Sequence, residues 1–83
     1  MLEKIVVRET HEPKPGSSMV RRIGLVHAVE NGEEHFVTRL ESEFRKWSGE
    51  AREQLSGTYG DRAYEVPVVH EDYWLEAVEP PTT

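Results

Sequence analysis

Four histidines and sixteen carboxylates in 83 residues are the groups of this chain that could do chemistry. Histidine is the side chain that titrates closest to neutral pH, and beside a carboxylate it can act as a general base or, when neutral, hold a metal. His27 and His35 flank the pair Asn31-Gly32 within VHAVENGEEHFVTRL, residues 26–40, where Glu30, Glu33 and Glu34 crowd the same turn. His11 lies within the proline-rich stretch 10–18. His70 opens HEDYW, residues 70–74, with Glu71 and Asp72 beside it and Tyr73 as a donor.

Spacing limits what these groups can do. Zinc takes about four protein donors, or three at a catalytic site, and no pair here has a short ligand spacing. The chain has no cysteine, which removes thiolate ligands and disulfides together. Consecutive residues such as those of HEDYW do not generally converge on one substrate atom. Ser17, Ser18, Ser42, Ser48 and Ser56 have no identifiable triad partners, and no nucleophile elbow, kinase, P-loop or dinucleotide motif is present. Gly16 and its serines beside Lys14 match no phosphate-loop spacing. The reading is therefore of a protein with no cofactor, no metal and no assignable catalytic residue.

The elements that would carry these residues can be read from periodicity. EKIVVRE, 3–9, is β-branched and bounded by charge, which marks a strand. THEPKPGSS, 10–18, reads as a loop, because its prolines lack a ladder donor and disfavour helix before them. MVRRIGLVHAVE, 19–30, alternates as a strand, and Asn31-Gly32 is a strong hairpin signal, since a type I′ turn needs positive φ at both centres. EHFVT, 34–38, then returns antiparallel. A two-residue loop pairs His27 with Phe36 and Ala28 with His35, which sends the two histidines to opposite faces. It also gathers Ile23, Leu25, Val29 and Phe36 as the face expected to meet a helix, with His27 partly buried and His35 exposed.

Thr38 to Glu41 has the form of a capping box. The apolar steps Leu40, Phe44, Trp47, Ala51 and Leu55 predict a helix over 39–55, with a kink plausible at Gly49. SGTYGD, 56–61, breaks it. RAYEVPVV, 62–69, alternates as a strand whose Pro67 must sit at an edge or bulge. His70 to Asp72 reads as a turn and 73–79 as a last strand. The expected fold is α+β, in the order β-β-β-α-β-β: a small, mostly antiparallel sheet with one amphipathic helix on one face. Residues 1–79 form one domain and 80–83 a frayed tail.

Composition narrows the function classes. A domain this short buries only roughly 60–65% of its unfolded surface, so association with a partner or a second copy is an attractive source of extra burial. The net charge is −6, unevenly spread: residues 1–24 carry five basic and three acidic groups, residues 25–83 five basic and thirteen acidic. Such a surface repels a nucleic acid and suits a protein partner with a basic surface. No signal-peptide pattern or stretch of ~20 apolar residues is present, so a soluble, cytoplasmic protein without membrane contact is expected.

The final strand is apolar on both sides, with Tyr73, Leu75 and Ala77 on one and Trp74 and Val78 on the other. One helix covers one face. Glu71, Asp72, Tyr73, Trp74, Glu76 and Val78 are therefore the candidate partner-binding residues, since aromatic anchors within a polar rim typify interfaces. The expected function is a small acidic, non-enzymatic protein-binding module: a regulator, inhibitor or accessory subunit. The alternative is a small oligomeric enzyme or ligand-binding protein whose subunit-interface pocket uses His27, Tyr59, Tyr64 or His70.

Overall fold

The computed structural model describes residues 1–71, so the expected strand 73–79, the candidates Asp72, Tyr73, Trp74, Glu76 and Val78, and the tail 80–83 lie outside the described residues. Within 1–71 the fold is α+β. Strands β1 (Leu2–Pro13), β2 (Val20–Glu30) and β3 (Glu33–Leu40) precede a 3-10 turn (Phe44–Lys46), helix α1 (Trp47–Tyr59), the short helix α2 (Arg62–Glu65) and strand β4 (Val68–Glu71). The sheet order is β3-β2-β1-β4. The first three strands are antiparallel and β4 runs parallel to β1.

The β2–β3 hairpin turns as its sequence requires. Asn31 and Gly32 have φ of 51° and 80°, the left-handed pair of a type I′ turn. His27 pairs with Phe36 and Ala28 with His35. Beyond Phe36 the register slips by one, Val26 pairing with Thr38 and Gly24 with Leu40, which makes Val37 a bulge.

Several boundaries depart from the periodicity. Residues 56–59, expected to break the helix, continue α1 to Tyr59, and Gly60 with φ of 62° ends it. Residues 10–13 continue β1 rather than looping, and Thr10 to Pro13 pair with Ile23 to Val20. Pro13 is tolerated because it ends the ladder, where no donor is required. Thr38 and Leu40 belong to β3, so Thr38 caps no helix, and the β-branched Val37 and Thr38 follow the ladder instead. Residues 62–65 are helical rather than extended. Arg52 on α1 donates to the carbonyls of Ala63 (3.0 Å) and Val66 (2.7 Å), closing that turn, and Arg62 donates to the Leu2 carbonyl at 2.9 Å. Pro67 then stands just ahead of the edge strand β4, its carbonyl accepting from the Ile5 N–H at 2.9 Å. His70 and Glu71, expected in a turn, complete β4.

Helix α1 buries Trp47, Ala51 and Leu55, the stripe predicted from sequence. It covers the face built by Ile5 and Val7 of β1, Val26 and Ala28 of β2 and Leu40 of β3, joined by Ala63 and Val66. That is the opposite face of β2 from the one expected. The physical reason is Gly24: a Cβ placed there would stand 2.9 Å from the Trp47 ring. The indole needs a floor without side chains, and only the Gly24 face of β2 supplies one. Trp47 is 2% exposed, and its Nε1–H donates to the Ser42 carbonyl at 3.0 Å, which draws the 3-10 turn onto the sheet. Val6, Ile23 and Val29 are buried on the other face, while Phe36 there stays exposed.

Gly24→Ala should lower stability by about 1–3 kcal/mol, the usual cost of overpacking a filled core. In a Trp47→Leu background the same substitution should cost measurably less, because the colliding ring is gone. Urea denaturation of the four proteins of this cycle checks it, and a Gly24→Ala cost independent of residue 47 would refute the contact.

Candidate functional site

Alternation and register divide the titratable side chains between the two sheet faces. On the face away from α1, Arg8 of β1 spans the whole sheet. It donates from Nε and NH2 to both Glu34 carboxylate oxygens at 2.9 and 2.8 Å, and from NH1 to Glu71. His27 Nδ1 lies 3.3 Å from Glu34, and the His27 ring meets Phe36 edge-on at 5.6 Å. Its Nε2 is buried with no hydrogen-bond partner among the described residues. Burial pushes the His27 pKa below its ordinary value, the nearby Glu34 carboxylate offsetting only part of this. Further along, Glu12 accepts from Arg21 (3.2 Å) and Arg39 (2.7 Å).

On the helix-covered face a second cluster forms at one end of the sheet. Glu9, 6% exposed, receives Arg22 through two bonds, Nε to Oε2 at 2.5 Å and NH2 to Oε1 at 2.9 Å. His11 Nε2 stands 3.3 Å and His70 Nε2 3.4 Å from the same carboxylate. Arg22 holds the Glu9 carboxyl below its usual pKa, so it stays ionised and is a poor proton acceptor at neutral pH. Among the described residues no group of three or more His, Asp or Glu side chains is arranged to hold a metal ion.

This cluster adjoins an aromatic one. The Arg22 guanidinium lies 4.2 Å over the Phe44 ring, and Phe44 packs against Trp47 at 5.2 Å and His70 at 4.7 Å. Beside these rings opens a pocket of about 220 Å³, lined by Val7, Phe44, Arg45, Trp47, Ser48, Val68 and His70. Its floor is sheet and indole, and its wall is the 3-10 turn. Phe44, expected in the middle of a buried helical stripe, is instead 42% exposed at the pocket's edge. The helix begins later than the pattern implied, and this moves Phe44 off the buried face.

The structure therefore separates the residues nominated for an alternative interface pocket. His27 lies on one face, His70 on the other, and Tyr64 is exposed on α2. Tyr59 lies at the other end of α1, with its hydroxyl 3.4 Å from His35 Nε2 and its pKa pushed up to about 12 by hydrogen bonding to the Glu30 carboxylate. Glu71 is engaged by Arg8 within the chain. Val7, Phe44, Arg45, Trp47, Ser48 and Val68 escaped sequence reasoning as site residues, because their convergence depends on β4 pairing with β1 across more than sixty positions.

Compared with protein-family models, with curated proteins and with solved structures, the chain matches none.

Depression of the His27 pKa couples folding to pH. The unfolded side chain binds a proton near pH 6.5, and the folded one only at lower pH. Its contribution to stability is thus fully present above pH 6.5 and is lost as pH falls through the folded value. Urea unfolding at pH 7.5 and 5.5 should show wild type weakening on acidification. His27→Gln should weaken by a smaller amount, and an unchanged pH difference would refute the assignment.

Proposed function

We propose that the protein is a small non-enzymatic binding module that recognises a partner protein by taking one of its apolar side chains into the pocket between β1, β4 and the start of α1. The observation that carries this reading is the match of size and lining. Small-molecule and cofactor sites usually enclose about 300–1,000 Å³. A cavity of about 220 Å³ lined mainly by valines and aromatic rings is on the scale of one anchoring side chain. Interfaces concentrate their energy in such anchors, seated in pockets with polar groups at the rim. Arg45, Ser48 and His70 supply those groups here.

The charged residues around the pocket support binding over catalysis. Glu9 is the most buried carboxylate of the described residues, and Arg22 neutralises it through two bonds. It stabilises Arg22 over Phe44 and so stiffens the pocket wall. The sequence of 71–78, acidic and aromatic, would suit a basic region of the same partner.

Affinity capture with three baits, wild type, Ser48→Phe and Trp74→Ala, tests the reading. Ser48 is exposed on α1 and lines the pocket, so a phenyl group there fills the cavity without entering the core. A stoichiometric partner held by wild type should be lost with Ser48→Phe, while the melting temperature stays within a few degrees. Loss with Trp74→Ala alone would move the binding surface to the C-terminal residues and remove the pocket from it.

A further inference from the structure

We infer that the pocket selects a peptide segment of the partner in which an apolar side chain is flanked by a carboxylate. This rests on the pocket being the binding site and adds the chemistry of what enters it. In a chain of net charge −6, the described residues lining the pocket include a cation, Arg45, and no Asp or Glu. The local lining thus opposes the sign of the whole molecule.

Arg45 is free to turn to a ligand at small cost. Its partner is Glu43, at 2.8 Å, and the two side chains are 79% and 63% exposed. Ion pairs that exposed are worth little, because water screens them and holding two long side chains in one geometry costs entropy. A carboxylate arriving with an apolar group in the pocket offers the guanidinium a two-pronged contact in a drier place, which is stronger. Ser48 can donate a further hydrogen bond from the same rim.

A cationic ligand is disfavoured for a separate reason. Phe44 and Trp47 are rings over which a cation would settle. The Arg22 guanidinium already lies 4.2 Å from the Phe44 centroid and 5.9 Å from that of Trp47, anchored by Glu9. A second cation would find the Phe44 ring face already taken by Arg22 and would meet Arg45 at the rim. The apolar part of the ligand meets Val7, Val68 and the ring edges instead, where shape and burial decide affinity.

Two blocked tripeptides, acetyl-Asp-Phe-Asp-amide and acetyl-Lys-Phe-Lys-amide, test this by titration into the full-length protein, followed through backbone amide shifts. In about 0.15 M salt the screening length is about 8 Å, so the distant carboxylates contribute little to the comparison. The acidic peptide should shift Ser48, Val68 and His70 and bind about tenfold more tightly than the basic one, the scale of a single charge-assisted hydrogen bond. Arg45→Glu, a change at an exposed position, should reverse the order. Equal or tighter binding of the basic peptide at those residues would overturn the charge selection and leave the pocket reading standing. No shift at the pocket with either peptide would overturn both.

Discussion

The fold is organised around one contact, the Trp47 indole lying flat on Gly24. Because the ring fills the space a side chain would take on β2, α1 docks closely on that face of the sheet. The docking then sets the rest. Trp47 Nε1–H takes the Ser42 carbonyl, the 3-10 turn is drawn against the sheet, and Phe44 is swung to the edge of the buried stripe beside His70. The pocket exists because the indole is a wall as well as a core residue. A smaller side chain at 47 would leave β1, β4 and the turn without a common boundary.

Electrostatics follow the same division of faces. A chain with sixteen carboxylates against ten lysines and arginines could repel itself apart, yet its charges are arranged to bridge strands. Arg8 ties β1 to β3 and β4 on the face away from α1, and Glu9 ties β1 to β2 and β4 on the face α1 covers. These consecutive residues point in opposite directions, so a single dipeptide anchors two networks. Both are only partly exposed, where such pairs are screened less than at a free surface. The cost of this economy appears at His27, whose Nε2 is buried with no partner among the described residues.

Much of the local structure was legible in the sequence, and the reasons are local ones. Asn31-Gly32 specifies its turn through φ alone, and that fixed the register of His27 with Phe36. The steps Trp47, Ala51 and Leu55 announced the helix face. What misled was pattern shared by two structures. Thr38 and Glu41 fit a capping box, but the β-ladder absorbed Thr38 first. Tyr64, Val66 and Val68 alternate like a strand, but Arg52 closes Arg62–Glu65 into a helical turn through carbonyls 11 and 14 residues away. The choice of sheet face hung on Gly24, whose lack of a side chain carries no periodic signal. The pocket was illegible for the same reason: β1 and β4 meet only in three dimensions, and a lone arginine in its lining is invisible among ten basic residues.

The contact between Trp47 and Gly24 can be read directly in solution. In a proton NMR spectrum of the native protein, a glycine lying under an indole ring should have its Hα resonances displaced strongly upfield, with nuclear Overhauser cross-peaks from Gly24 Hα to the Trp47 ring protons. Observing both would place the helix on the Gly24 face and with it the wall of the pocket. Gly24 Hα resonances at random-coil positions, without cross-peaks to Trp47, would contradict the arrangement from which everything else here follows.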